Sequence, residues 1–515
     1  MNCYRYEAVL DCRGDGRHFS GVIPEEADKS TCIEQGQERE SDKTRKILNR
    51  LQLHYSKELS QRHGIKFYEN CLWEIIDPHS DIPVGQLHWM YLGLGKFILK
   101  KSFDISDHLK EKLLCIIDAM DQSSFKSKIS SEIVTYIDSR QGKDIKNYLQ
   151  IAPFHFAILG LPIERVKIVS KLAELSKIFS MGTSFGEDYM QIVEGKIHKL
   201  LKDIKNVYPV LLGKVKTHLS THIVDDIKNH GPPSAYIEDQ FEKNHGRIRS
   251  QLFIQNQHAI SRDSACAFAE MEIMNHILTG GFFKEGNKWI QAFLNVQELF
   301  RESKVLKFLG GVSEVEDDIN EKNQLRKADR SKSCKPVRTS FSDDDELQAI
   351  QSSFPDFPDL HNCQQILYKA VVTKVTREMA NENAPVLFIN NNGEEQVGLF
   401  KYALKVITTL GQQIEVVKIQ KTEKDTTGAG LIGVPCEVVC ACPCFVYVPS
   451  ASVLQTICLV HACDRSSCRM KDSVVNVRVE QELKQVTKKV WAHSNQLIFY
   501  MNRFSFVHKK QKYFA

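Results

Sequence analysis

The chain has 515 residues, of which 42% are hydrophobic, and a formal net charge of +4 at pH 7. This length predicts two or three domains with ample buried core, and so small a net charge excludes assigning nucleic-acid binding from charge alone. The 15 cysteines, without a signal-peptide core in residues 1–14 or a long apolar run, favour an intracellular protein that is neither secreted nor membrane-spanning.

The first part of the chain changes from a polar tail to a helical pattern. Residues 1–43 mix glycine, serine and acidic residues without a sustained period, which predicts a loose tail. From residue 44 to 309 the apolar residues recur at helical spacing, which predicts a mainly helical domain. The predicted helices are Leu87–Leu99, Leu109–Met120, Val166–Phe179, Tyr189–Ile204, Glu238–Phe253, Ala265–Leu278 and Trp289–Phe300.

The remainder of the chain predicts strands. Residues 310–358 are charged and poor in large apolar side chains, which is typical of a flexible linker. In residues 359–515, the turn Asn391-Asn392-Gly393 between two apolar runs predicts a hairpin, and several β-type runs follow it. The predicted fold class is therefore α+β, a mainly helical region followed by a small, strand-rich, barrel-like domain.

Two histidines in the helical region form a first candidate metal site. His218 and His222 lie four residues apart, so on a helix they share one face and can bind one metal ion. The alternative is an ordinary packed pair, since no Cys-x-x-Cys lies in that region to complete a zinc site. A freestanding hydrolase is disfavoured because no glutamate follows His218. Asp225 and Asp226 are expected on the solvated side of the same helix.

The C-terminal region contains a second group of metal-ligating residue types. His461, Cys463 and Cys468 are candidate zinc ligands, although their spacing is not that of a standard zinc finger.

The order of several short motifs carries a family resemblance. They are Asp81-Ile82-Pro83-Val84, Leu87-His88, Leu92-Gly93, Gly142-Lys143-Asp144, Lys216–His222, Asp225-Asp226 and Asn256-x-His258-x-x-Ser261-Arg262-Asp263. This succession resembles the C-terminal half of CACTA (EnSpm-like) cut-and-paste DNA transposases over residues 46–280. The resemblance continues more faintly over 385–500, where Leu459–Cys463 with Cys468 looks like a motif that recurs near the end of such proteins.

The resemblance implies an RNase H-like core, with a helical insertion, in which three carboxylates bind two divalent ions for phosphodiester exchange. By analogy with the V(D)J recombinase, His218 and His222 would be zinc histidines, and Glu238 or Glu242 would be the third carboxylate. In the family the first two aspartates lie upstream of the matching region, and the stretch before residue 46 is too short to hold them. We therefore expect a truncated or domesticated relic without autonomous strand cleavage, which would use Mg²⁺ only if the missing carboxylates came from elsewhere.

The expected function is that of a transposable-element-derived protein, nuclear or cytoplasmic, that binds DNA or assembles with related transposase subunits. Lys243, Arg247 and Arg249 are the candidate DNA contacts, and the alternative is an ordinary charged helix face. A second hypothesis is a chromatin or protein-interaction module in the strand-rich domain, whose aromatic residues could equally fill the β core. These residues are Phe388, Phe400, Tyr402, Phe445 and Tyr447.

Overall fold

In the computed structural model the chain forms two compact units. Unit 1 comprises Met1–Tyr236 with Lys322–Ala515, and unit 2 comprises Ile237–Glu321. The structure describes all residues except 1–5, 8–36, 39–40, 64–73, 78, 123–124, 126, 181–186, 239–245, 247, 250–251, 254–257, 310–323, 327–337, 340–343, 356, 358–362, 374–378, 408–410, 426–429, 480–481, 495–496 and 507–515.

The first half of unit 1 is helical. Its α-helices are α1 Ser41–Leu53, α2 Lys57–His63, α3 Lys96–Ser102, α4 Asp107–Ala119, α5 Glu132–Thr135, α6 Gly142–Leu149, α7 Ala152–Ile158, α8 Ile163–Ser180, α9 Glu187–Val207, α10 Val215–His218 and α11 Ile223–His230. A π-helix, Leu87–Gly95, runs directly into α3. Short 3₁₀ turns lie at Ile137–Ser139, Pro209–Gly213, Leu219–His222 and Pro233–Tyr236.

We call the helices α1–α11 of unit 1 the helical layer. The long helices α8 and α9 show why the spacing of apolar residues predicted it. In α9 the side chains of Val193, Ile197 and Ile204 are buried at three- to four-residue multiples, and lysines occupy the opposite face. Helix α8 is buried on most of its circumference because both α7 and α9 pack against it. The predicted helices Leu87–Leu99, Leu109–Met120, Val166–Phe179 and Tyr189–Ile204 are all confirmed within a few residues.

Two glycines of the family-like motifs allow close packing. A Cβ atom at Gly93 would lie 2.6 Å from Cδ of Lys216, and one at Gly142 would lie 2.2 Å from Cδ1 of Leu87. A larger residue at either position would require the side chain of Lys216 or Leu87 to move, so both glycines allow the close packing seen here.

Within the described residues of the C-terminal region, nine strands form one antiparallel sheet in the order β14-β10-β11-β12-β13-β18-β15, with β7 beside β11 and β6 beside β7. The sheet curls into a half-barrel. Its strands are β6 Arg338–Thr339, β7 Gln364–Tyr368, β10 Pro385–Ile389, β11 Glu395–Ile407, β12 Gln413–Lys424, β13 Val438–Pro449, β14 Val453–Thr456, β15 Leu459–His461 and β18 Ile498–Met501. The α+β class is thereby confirmed.

The predicted hairpin is also confirmed. Strands β10 and β11 pair with Leu387 opposite Val397, and Gly393 in the connecting turn has φ of +83°. Only glycine adopts this left-handed conformation without strain, which explains the Asn-Gly signal in the sequence.

Smaller pairings complete the β structure. Strands β1 Tyr6–Glu7 and β2 Gln37–Glu38 pair with each other, and β5 Gln324–Arg326, β8 Ala370–Val372 and β9 Met379–Asn381 form a small sheet. A long two-stranded ribbon consists of β16 Arg469–Val479 and β17 Glu482–Ala492. Apart from β1 and β2, most of the predicted N-terminal tail lies outside the described residues.

The helical layer and the half-barrel share one hydrophobic cluster. Val460, Tyr500 and Phe504 from the C-terminal region are buried together with helical residues such as Phe154 and Leu172. The rings of Phe154 and Tyr500 lie 6.3 Å apart. The two regions of unit 1 therefore stabilise each other by burying a common apolar surface.

Unit 2 contains α12 Ile260–Leu278, the hairpin β3 Phe283–Glu285 with β4 Lys288–Ile290, α13 Leu294–Glu298, a 3₁₀ turn at Leu299–Arg301 and α14 Ser303–Phe308. Helix Ala265–Leu278 is confirmed, but Trp289 lies in a strand rather than in a helix. Ser261 lies inside α12, whose N-cap residue is Ala259.

Part of the predicted linker is ordered. Residues Asp344–Ser353 form α15, and Leu347 and Ile350 are buried against the half-barrel. Composition alone predicted a flexible linker because the segment is rich in charged residues. The three-residue spacing of Leu347 and Ile350 nevertheless places both on one face of α15, and this face packs against the half-barrel. None of the helices in the described ranges is both long enough and apolar enough to cross a lipid bilayer.

Candidate metal centre

Four side chains of metal-ligating types converge in the C-terminal region of unit 1. They are His461, Cys463, Cys468 and His493, and one nitrogen or sulfur atom of each lies within 4.8 Å of the others. Among the described residues this is the one group of three or more histidine, cysteine or carboxylate side chains with such spacing. Sequence analysis predicted three of the four residues and missed His493.

The distances match those of a tetrahedral zinc site. The Sγ atom of Cys463 lies 3.5 Å from Nδ1 of His461 and 3.4 Å from Nδ1 of His493, and the corresponding distances from Sγ of Cys468 are 3.6 and 3.9 Å. Zinc bound at about 2.3 Å from sulfur and about 2.0 Å from nitrogen would separate two such ligands by about 3.5 Å. Each Nδ1 atom thus meets two sulfur atoms, whereas an imidazole nitrogen has one site for a hydrogen bond.

Sheet topology brings the ligands together. His461 ends strand β15, and Cys463 and Cys468 lie in the turn that follows it. Arg469, the first residue of β16, pairs with Ala492, the last residue of β17. Cys468 directly precedes Arg469 and His493 directly follows Ala492, so the two ligands lie side by side at the base of the ribbon. His493 is 25 positions from Cys468 in sequence, and only the register of a ribbon with 11 residues in each strand makes them neighbours. Recognition of both strands as one hairpin would have identified it.

Hydrogen bonds around the cluster orient the ligands. The Nε2 atom of His493 lies 3.2 Å from the carbonyl oxygen of Ala119, which can only accept, so Nε2 carries the proton and Nδ1 keeps its lone pair. Trp491 Nε1 donates to Sγ of Cys463 at 3.3 Å, and the amide of Ser494 donates to Sγ of Cys468 at 3.2 Å. Such N–H donors favour the thiolate form that a metal requires.

Burial sets the protonation states without a metal. It lowers the pKa of His493, which keeps this ring neutral and able to bind a metal. It raises the pKa of the Cys463 thiol to about 12. A bound cation would reverse the latter effect, because coordination deprotonates the thiol. The donor set therefore fits Zn²⁺, and binding would release protons.

The other predicted zinc pair is buried and in contact. The Nε2 atoms of His218 and His222 lie 3.3 Å apart, and the two side chains are 2% and 0% exposed. They lie side by side, but not on one continuous α-helix, because α10 ends at His218 and His222 belongs to the 3₁₀ turn that follows it. Among the described residues, no third histidine, cysteine or carboxylate ligand atom joins them.

The remaining predicted site residues belong to unit 2 or lie outside the described residues. Glu238 lies in a turn and Arg249 is exposed. Glu242, Lys243 and Arg247 lie outside the described residues.

Residues of the family-like motifs contact one another inside the helical layer. Asp226, predicted on the solvated side, is instead fully buried, and its Oδ2 atom accepts a hydrogen bond of 2.8 Å from the amide of Val84. Trp89, the residue after the Leu87-His88 motif, donates from Nε1 to Oγ of Ser220 at 2.9 Å. A buried carboxylate is tolerated only with such partners, so these motif residues act in packing and hydrogen bonding.

Comparisons with protein-family models, with curated proteins and with solved structures found no match to this chain.

Proposed function

We propose that this protein binds one Zn²⁺ ion through His461, Cys463, Cys468 and His493, and that the ion is structural. The supporting observation is that each of the two Sγ atoms lies 3.4 to 3.9 Å from both Nδ1 atoms, close to the separation of sulfur and nitrogen ligands on one tetrahedral ion. Four protein ligands complete the coordination of zinc and leave no position for a substrate. The ion therefore fixes the turn after β15 to the base of the ribbon and does not take part in a reaction.

Zinc content tests this proposal. We expect one zinc ion per purified chain by mass spectrometry, and loss of most of it in Cys463→Ser and in Cys468→Ser. The matched control is Cys444→Ser, since Cys444 is exposed on β13 and is not part of the cluster. Full zinc content in both ligand variants, or none in the wild type, would contradict the proposal.

We further propose that the protein derives from a CACTA-like transposase and has a non-catalytic, nuclear role in DNA binding or assembly with related subunits. The ordered motifs support this origin, and three of the four cluster residues belong to the C-terminal motif of the resemblance. On this proposal the helical layer corresponds to the part of an RNase H-like core that follows the first two carboxylates of the family. Purified protein with Mg²⁺ or Mn²⁺ should not nick DNA; nicking abolished by Glu238→Ala or Glu242→Ala would overturn the claim of inactivity.

Helix α9 offers a surface for DNA phosphates. Lys199, Lys202 and Lys205 are exposed on it at three-residue spacing, and none has an ion-pair partner among the described residues. Nearby, Lys196 is neutralised by Glu174 at 2.6 Å. The three free ammonium groups could each neutralise one phosphate.

A triple variant tests this surface. Replacing Lys199, Lys202 and Lys205 by glutamine should weaken binding to duplex DNA at low salt. The negative slope of the logarithm of the binding constant against the logarithm of salt concentration should become shallower by about one per lysine. The control replaces the exposed lysines Lys46, Lys57 and Lys143 in the same way. Equal weakening by both triple variants would show that α9 is not the contact surface.

The alternative function, a chromatin reader, has less support. Phe388 and Phe400 are fully buried in the β core. The rings of Tyr402, Phe445 and Tyr447 surround the protein's own Lys418, whose Nζ atom lies 5.1, 4.8 and 5.4 Å from the ring centroids. Because this aromatic cage already holds a lysine, we do not propose that it reads one on a partner.

A further inference from the structure

Unit 2 has almost no buried core within the part of it that the structure describes. Among these residues Met271 is the one large apolar side chain that is buried, and none belongs to a hydrophobic cluster. Folding a segment of this size costs conformational entropy that buried apolar surface has to offset. The described part of unit 2 therefore lacks the stability that burial against a partner would supply.

Large apolar side chains lie on the surface of unit 2 instead. Phe293 and Leu294, at the start of α13, are 83% and 78% exposed. Trp289 in β4 is 68% exposed, and Phe282 before β3 and Ile273 in α12 are each 59% exposed. We call these five residues the apolar face of unit 2.

The elements that carry the apolar face are packed together. The Nε2 atom of His276 in α12 lies 2.9 Å from the carbonyl oxygen of Phe282, and α12 also contacts α13. In the hairpin Trp289 pairs with Lys284, and Phe282 is two residues before Lys284, so the two aromatic rings lie on the same side. The exposed apolar side chains thus belong to one region and are not scattered singly over the surface.

The area of the apolar face matches one side of a stable interface. An aromatic side chain presents about 150–250 Å², so three aromatic and two aliphatic side chains at these exposures offer on the order of 600 Å². The largest apolar patch of a typical monomer is about 300–600 Å², and a stable interface buries about 800 Å² on each partner. The face and a polar rim around it therefore suffice for one half of an interface of standard size.

The charges of this region favour a second copy of the same chain as the partner. Residues 258–309 contain six lysines or arginines and six aspartates or glutamates. A region without net charge does not attract the phosphates of nucleic acid, and two copies of it do not repel each other. In a twofold dimer the same face meets itself, which buries tryptophan and phenylalanine in the centre, where such residues are enriched.

We propose that this protein forms a twofold-symmetric dimer through the apolar face of unit 2. The inference rests on the assembly role proposed above and names its surface and its partner, a second copy of this chain. Dimerisation buries the face and gives unit 2 the apolar core that its described residues lack in one copy. The stability of unit 2 is therefore coupled to association.

Sedimentation equilibrium of the full-length protein tests the dimer. We expect twice the mass of one chain at micromolar concentration. Association should not weaken between about 0.1 and 1 M NaCl, because burial of apolar surface is not screened by salt. The melting temperature should rise with protein concentration, as it does when association stabilises the folded state.

The double variant Phe293→Ser and Leu294→Glu removes the two most exposed side chains of the face. Serine is preferred at an N-cap and an acidic residue is favourable in the first turn, so α13 keeps its start. Dimerisation should weaken at least about hundredfold. The matched control is Leu53→Ser with Ile75→Glu, two residues of unit 1 that are 78% and 81% exposed, and it should leave the dimer unchanged.

A wild-type protein that stays monomeric at its highest soluble concentration, or a dimer that the double variant leaves intact, would overturn the proposal. Zinc content and binding to duplex DNA are measured on the same samples. A monomer that retains both overturns the dimer alone and leaves the zinc and DNA proposals standing. A monomer whose binding to duplex DNA is weakened by the double variant would assign the apolar face to nucleic acid instead.

Discussion

Lys177 is the most deeply buried lysine described in the chain. It lies in α8 with 0% exposure, and its Nζ atom donates a hydrogen bond of 2.6 Å to the carbonyl oxygen of Arg503. Burial, with the nearby charge of Arg503, lowers its pKa to about 7 from 10.5. The side chain thus joins the helical layer to the C-terminal segment, at the expense of the charged form.

This shift predicts a pH dependence of stability. Between pH 7 and about 10 the unfolded chain holds the Lys177 proton and the folded chain does not, so the free energy of unfolding should rise with pH by up to about 1.4 kcal/mol per unit. Lys177→Met should flatten that rise in urea unfolding at pH 7, 8 and 9. Lys167→Met, exposed on the same helix, should retain it. If both variants keep the wild-type slope, Lys177 is not its source.

The β16–β17 ribbon depends on the helical layer and on the metal centre. Near its base, Lys488 and Lys489 form ion pairs with Asp118 and Glu111 of α4 at 3.0 and 3.1 Å. These pairs are partly exposed and each contributes little. The four-ligand cluster is therefore the stronger constraint on the ribbon, since structural zinc sites contribute directly to folding.

Removing the metal should loosen this element selectively. After chelation, amide hydrogen exchange should accelerate in β15, β16 and β17 and at the C-terminal end of α4, which holds His493 through Ala119. Exchange in α9, remote from the cluster in sequence and topology, serves as the internal control. Acidification should have the same effect as chelation, because the ligands must be deprotonated. Unchanged exchange in the ribbon would contradict the structural role of the ion.

The whole of unit 1 depends on the apolar cluster that its two regions share. Leu431, Val434 and Val438 bury against helical residues together with Tyr500 and Phe504. Hydrogen bonds add to this contact: Asn502 Nδ2 donates to the carbonyl oxygen of Gln150 at 2.9 Å. Neither region buries all of its apolar surface alone.

Residues 363–506 expressed alone should therefore unfold without cooperativity and bind a hydrophobic dye, because their side of the cluster would be exposed to water. The control replaces Ile237–Glu321 with a glycine-serine linker, since none of the residues that the structure describes in that range belongs to the shared cluster. This deletion should retain a cooperative thermal transition in calorimetry. A sharp transition for the isolated fragment would instead show that the half-barrel is an independent domain.

The types of α4, α8, α9 and the β10–β11 hairpin, and their bounds to within a few residues, followed from the sequence, because apolar periodicity and turn residues act over short distances. The residue types in His461-x-Cys463 and Cys468 likewise identified most of the metal cluster. The tertiary structure decided the fourth ligand, His493, through strand register, and the burial of Asp226 through helix packing. Both depend on residues distant in sequence, and local pattern contains no information on which distant surfaces meet.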